Sequence, residues 1–142
     1  MSQHKVTTTW AGQLAFDSQI DRHTVRIDGE HTPDTDTGPG PKSLLLTALT
    51  GCSAIDVVMI LQKMRVQFDA LAVEAVAPLT EEHPKVYTEI RLTFRLSGAQ
   101  IREEKVRHAV ELSLDKYCGV AAMLRKHCPI RYEIEISESA AQ

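Results

Sequence analysis

The chain has 142 residues, 43% hydrophobic and 25% charged, with a formal net charge of −3. That length suits one domain with a real core, and the balance excludes a disordered chain. Acidic and basic residues are interspersed, without the Lys/Arg stripe of a nucleic-acid binder or a one-sign tail for a charged partner.

The first residues, Met1 to Val6, lack the charged head and apolar stretch of a signal peptide. The long apolar run from Leu44 to Leu61 approaches membrane-span length, yet it contains Asp56 and the polar Thr47, Thr50 and Ser53. A charge near the centre of a span costs about 2.5 kcal/mol or more, so a helix buried inside protein is the cheaper solution. A soluble, cytoplasmic protein without a membrane partner is expected. Three cysteines, Cys52, Cys118 and Cys128, do not make a disulfide scaffold at this length, and an odd count leaves at least one thiol unpaired.

In chain order, Lys5 to Trp10 is β-branched and aromatic and predicts a strand. Gly12 ends it, and Gln13 to Phe16 predicts the returning arm of a hairpin. His23 to Asp28 predicts a third strand, with Val25 and Ile27 on one face and Thr24 and Arg26 on the other. Gly29 to Gly40 is loop-like, either a flexible surface connection or a mobile flap leading to the next helix. Pro41 suits a first helical position, and Lys42 to Arg65 predicts one helix, apolar almost all round. Such a helix has no solvent face, and a short chain encloses one most readily by sharing its core in a dimer.

Leu71 to Val76 and Val86 to Leu96 alternate as strands, with Glu81 to Pro84 as a hairpin-type connection. Ile101 to Tyr117 predicts an amphipathic helix and the residues after Cys118 a second one. Ile130 to Ile136 predicts the last strand. The order β-β-β-α-β-β-α-α-β favours an α+β fold with antiparallel sheets around a long buried central helix, in a single domain spanning 1–142.

Cys52 lies inside the apolar helix, where a packed thiol is one reading and a reacting thiol the other. Gly51 beside it costs a helix about 1 kcal/mol relative to alanine, which implies either close approach of another backbone or room above the sulfur. Asp56, one turn on, can share a face with Cys52 and would disfavour a nearby thiolate; pairing with a Lys or Arg from another element is its expected role. Cys118, at the break between two helices, is either a small cap-region residue or a thiol whose pKa the helix N-terminus lowers below about 8.5. His127 and Cys128 invite a metal reading with Cys118, but no close ligand pair exists and the count is short.

The segment Gly40 to Val58, with Gly51-Cys52-Ser53-Ala54-Ile55-Asp56, resembles the signature helix of the OsmC/Ohr family, the osmotically inducible and organic hydroperoxide resistance proteins. Val110 to Ser113 with Lys116-Tyr117-Cys118 resembles its second cysteine motif, in wording nearest the YhfA-like branch. The resemblance implies an intertwined homodimer with active sites at the subunit interface. It implies reduction of organic hydroperoxides by protein thiols, with an external dithiol as reductant and no cofactor or metal. Cys52 matches the peroxidatic cysteine and Cys118 the resolving one. The strand Val25 to Gly29 resembles the one bearing a thiolate-stabilising arginine, which makes Arg26 the expected residue and Arg22 the second. Lys42 stands where the family's peroxidases carry a glutamate that holds this arginine.

Three functions follow. The first is a peroxidase in which Cys52 becomes a sulfenic acid and closes a disulfide with Cys118. The second, motivated by Lys42, is a non-catalytic dimer holding a small apolar or thiol-reactive ligand. The third is a metal-binding dimer using Cys118, Cys128 and His127.

Overall fold

A computed structural model describes residues 2–30 and 32–138. The chain divides after Leu46 into two compact units.

The N-terminal unit holds an antiparallel meander of β1 (Val6–Trp10), β2 (Ala15–Ile20) and β3 (His23–Asp28). The register pairs Val6 with Ile20, Trp10 with Phe16, and Phe16 with Ile27. Directly paired residues point to the same side, so Val6, Trp10, Phe16, Ile20, Val25 and Ile27 share one face. The strand β2 runs four residues beyond the predicted Phe16, because pairing on both edges keeps the polar Asp17, Ser18 and Gln19 extended.

The connection after β3 is pinned by its own hydrogen bonds. The buried Asp28 carboxylate accepts from the Glu30 and Thr37 amides and the Thr37 hydroxyl at 2.8–2.9 Å. These bonds hold its pKa below the usual carboxylate value, the two backbone amides ahead of the hydroxyl. Gly38 is required here: a Cβ would lie 2.7 Å from both the Cγ and the carbonyl oxygen of Arg26. Asp28 thus tethers Glu30 and Thr37 of the expected loop.

Helix α1 (Pro41–Lys63) starts in the first unit and continues into the second. Its C-terminus closes with the Val66 amide on the Leu61 carbonyl and the Arg65 amide on that of Gln62, Arg65 taking the left-handed turn usually given to glycine. Only Leu49, Ser53, Val57 and Leu61, four residues apart, are buried, whereas Ile55 and Met59 are 62% and 56% exposed. The chain alone therefore covers one stripe of this helix rather than enclosing it. By length and composition α1 could cross a membrane; it nevertheless buries a stripe against its own chain and carries a hydrogen-bonded carboxylate at mid-helix.

The C-terminal unit is built on β5 (Ile90–Ser97), flanked by β4 (Ala70–Val76) and β6 (Ile130–Ser137). Ile90, Leu92, Phe94 and Leu96 alternate inward and are buried, as are Val106, Ala109 and Val110 of α2 (Glu103–Leu112). The pair β4–β5 is antiparallel, but β5–β6 is parallel, an exception to the expected pairing, because the two C-terminal helices intervene as a crossover. The predicted strand from Val86 shortens at its start: Tyr87 makes only an isolated bridge with Leu79 before β5 begins.

The predicted helix to Tyr117 breaks at Leu112 into a π-helical turn, Ser113–Tyr117, closed by the Cys118 amide on the Ser113 carbonyl at 2.7 Å. A further helix, α3 (Gly119–Arg125), follows. The Ser113 hydroxyl, wholly buried, meets the equally buried Ser53 hydroxyl of α1 at 2.9 Å and donates to Asp56 Oδ2 at 2.9 Å. Ser113→Ala strands a buried hydroxyl and removes the carboxylate's donor. It is expected to cost about 1–3 kcal/mol in denaturant unfolding, and Ser53→Ala on top of it is expected to cost less than it does in the wild type.

Candidate functional site

Cys52 and Asp56 occupy consecutive turns of α1, which places both side chains on one face. Cys118 arrives from the other direction, carried by the π-helical turn to the N-cap of α3 in an extended conformation. The Cys52 sulfur, an Asp56 carboxylate oxygen and the Cys118 sulfur all lie within 4.8 Å of one another. Two of the three residues expected to do the chemistry are therefore brought together from positions 66 apart in sequence. All three cysteines are free thiols.

The thiols differ in environment. Cys52 is half-buried, whereas Cys118 is only 3% exposed. Burial pushes the Cys118 thiol up to about 11, aided by the proton it keeps in its hydrogen bond to Cys52 and by the Asp56 charge. The Ala121 amide, donating to the Cys118 sulfur at 3.3 Å, pulls the other way and loses. This corrects the lowered value expected at a helix N-terminus: the cap contact exists, but desolvation outweighs it.

Asp56 also departs from expectation. Its recorded partner is the Ser113 hydroxyl, and among the described residues no lysine or arginine pairs with it. Ser53 and Ser113, which lie within the two cysteine motifs but have no role assigned from sequence, form the hydroxyl pair that reaches this carboxylate; hydroxyls at otherwise apolar helical positions are the signal. A Cβ at Gly51 would meet nothing within 4 Å, so within the chain the glycine leaves open space rather than admitting another backbone.

Arg26 lies on β3 in the N-terminal unit. Its Nε and Nη2 donate to the two Asp17 carboxylate oxygens at 2.6 and 3.2 Å, and Nη1 donates to Thr37 Oγ1 at 3.0 Å. The pair holds Asp17 below and Arg26 above their ordinary values, chiefly through these hydrogen bonds. Arg22 sits exposed in the two-residue turn between β2 and β3. His127 and Cys128 do not join Cys118 in a ligand set among the described residues. The His127 Nε2 contacts the Tyr87 carbonyl at 2.8 Å, and Cys128 is buried, which raises its thiol. A separate cavity of about 290 Å³, lined in part by Arg65, Arg102 and Lys105, includes none of the thiols.

Comparison with known proteins places this geometry. Residues 32–133 match the family model described as OsmC-like protein. Protein YhfA of Escherichia coli K12 is 38% identical over 128 residues, covering 89% of this chain and 93% of its own. The crystal structure of a hypothetical protein from Aquifex aeolicus VF5 superposes with a TM-score of 0.86 at 27% identity, over 96% of this chain and 97% of that one. The organic hydroperoxide resistance protein OhrB of Bacillus subtilis shares the fold at a TM-score of 0.68 and 16% identity, over 94% and 98%. With two cysteines converging on this scaffold and a relative so similar over nearly its full length, the chain belongs to the OsmC-like family.

Proposed function

We propose that the protein reduces organic hydroperoxides with its own thiols, in defence against peroxide stress. The observation that carries this reading is the approach of the Cys52 and Cys118 sulfurs within 4.8 Å, from which an S–S bond of about 2 Å needs them to close by about 2.8 Å at most. Cys52 is the attacking thiol, because it is half-exposed on the helix while Cys118 is buried and holds its proton. The Cys52 thiolate attacks the terminal peroxide oxygen, the O–O bond breaks, and the departing alkoxide takes a proton to leave as alcohol. Cys52 is thereby oxidised to sulfenic acid. The Cys118 sulfur then attacks the Cys52 sulfur; its thiol proton and the sulfenic hydroxyl leave as water, and a disulfide remains. An external dithiol reduces that disulfide back to two thiols.

Arg26 is the guanidinium proposed to serve Cys52, on the resemblance of its strand to the family's arginine strand, with Asp17 as its holder in place of the glutamate absent at Lys42. The active assembly is proposed to be a cytoplasmic homodimer of OsmC-like domains. The uncovered Ile55 and Met59 of α1, together with the exposed Val6 and Trp10 on the apolar face of the N-terminal sheet, support a partner copy covering these surfaces. Apolar surroundings on α1 favour an alkyl or lipid peroxide over hydrogen peroxide.

Three outcomes test this reading. Reduced protein should consume cumene hydroperoxide in a dithiol-dependent way, and Cys52→Ser should lower turnover by roughly 1000-fold or more. Equal turnover in that variant contradicts the assignment; stoichiometric binding of a thiol-reactive ligand without turnover favours the binding-protein alternative. In peroxide-free reduced protein, alkylation of Cys118, followed by peptide mass, should accelerate about tenfold per pH unit between pH 7 and 10, as the thiolate fraction climbs toward a pKa of about 11. A rate that levels off near pH 8 contradicts the burial argument. Sedimentation should give a dimer, and Ile55→Asp with Met59→Asp should shift it to monomer.

A further inference from the structure

We propose that Cys52, Asp56 and Cys118 also form a binding site for a thiophilic divalent ion of the zinc class, and that the bound ion withholds both thiols from peroxide. The inference rests on the same thiol pair as the peroxidase reading, but not on turnover.

The donor set is two sulfurs and one carboxylate oxygen, a combination suited to a borderline-soft ion and poorly suited to calcium or magnesium. With metal–sulfur bonds of about 2.3 Å, a tetrahedral site needs its sulfurs about 3.8 Å apart. The three donors already lie within 4.8 Å of one another, so closing on an ion takes about 1 Å between the sulfurs and slightly more for the carboxylate oxygen, whose bond to the metal is shorter. Two donors sit on consecutive turns of one helix, and the third is fixed at the cap of another, so the backbone is placed before the ion arrives.

The supporting contacts also suit metal binding. Ser113 donates to Asp56 Oδ2, orienting the carboxylate while leaving its other oxygen for an ion. The Ala121 amide donates to the Cys118 sulfur, a contact that a metal-bound thiolate can keep. Among the described residues no lysine or arginine pairs with Asp56 to compete for the ion. Within one chain Cys52 and Asp56 are both half-buried rather than sealed in the core, and the partner copy proposed to cover Ile55 and Met59 would border the site. Three protein ligands with one open position make an exchangeable site rather than a closed structural one. Binding releases the two thiol protons to solvent and moves no electrons. Each sulfur then shares with the ion the electron pair it would use against a peroxide, which slows its oxidation while the ion stays bound.

The test uses the reduced full-length protein without an affinity tag, titrated with cobalt(II) and then with zinc. One cobalt per chain is expected, with an intense sulfur-to-cobalt charge-transfer band that zinc abolishes. The band should weaken in Cys118→Ser and in Cys52→Ser, and Asp56→Asn should lower affinity about 10- to 100-fold with unchanged circular dichroism. Wild-type protein oxidised to its disulfide should take up no ion and regain uptake on reduction, a check that depends on no variant. Absence of uptake at micromolar ion overturns the proposal, as does uptake that survives both cysteine substitutions. One equivalent of zinc should also slow peroxide consumption and a chelator restore it; consumption unaffected by the bound ion overturns the inhibitory role. Protein inert to peroxide that still binds one ion through these residues removes the peroxidase reading and leaves the metal site standing.

Discussion

A single buried hydroxyl joins the two chain segments on which the site depends. Ser113 opens the π-helical turn that ends at Cys118, and its side chain bonds both Ser53 and Asp56 of α1. Buried hydroxyls are costly unless paired, so this arrangement has few alternatives in a core that is mostly apolar. The turn matters as much as the bond. An unbroken α-helix through 113–117 would present Cys118 at a different angle and height. The wider turn instead closes on the Ser113 carbonyl and releases Cys118 into the extended cap of α3.

The environment then sets the two thiols apart. Their sulfurs are neighbours, yet one lies half-open on a helix and the other beneath the surface. Low solvent exposure first, then the hydrogen bond to Cys52 and lastly the nearby carboxylate oppose ionisation of Cys118, and one backbone amide does not offset them. In the proposed reaction this asymmetry fixes the order of events: the accessible sulfur meets the oxidant, and the protected one waits for the sulfenic acid. The same proximity makes the pair attractive to a thiophilic ion, so one geometry supports both a reaction and its block.

Much of this was legible in the chain. Pro41 and the apolar run bounded α1 to within two residues at its end, and β3, β4 and β6 followed from alternation. Cys52 and Cys118 were singled out by their motifs, and the structure brings them together. What was not legible depended on tertiary context. The polar half of β2 is a strand only because two neighbours pair with it, and the parallel direction of β6 depends on how the crossover helices return. The π-helical turn leaves no hydrophobic period of its own. Burial of Cys118 reversed the shift that local helix electrostatics alone would give. The all-apolar character of α1 suggested enclosure, yet the chain covers one stripe and leaves the rest to a partner in the proposed dimer.

The most direct measurement of the central claim, that these two sulfurs act as a pair, is the location of the disulfide formed by one equivalent of organic hydroperoxide. Proteolysis without reduction, followed by mass spectrometry, reads it out. The account predicts one intrachain or interchain link joining the Cys52 and Cys118 peptides, with Cys128 still a free thiol. A link through Cys128, or Cys52 oxidised beyond sulfenic acid with Cys118 untouched, would contradict it.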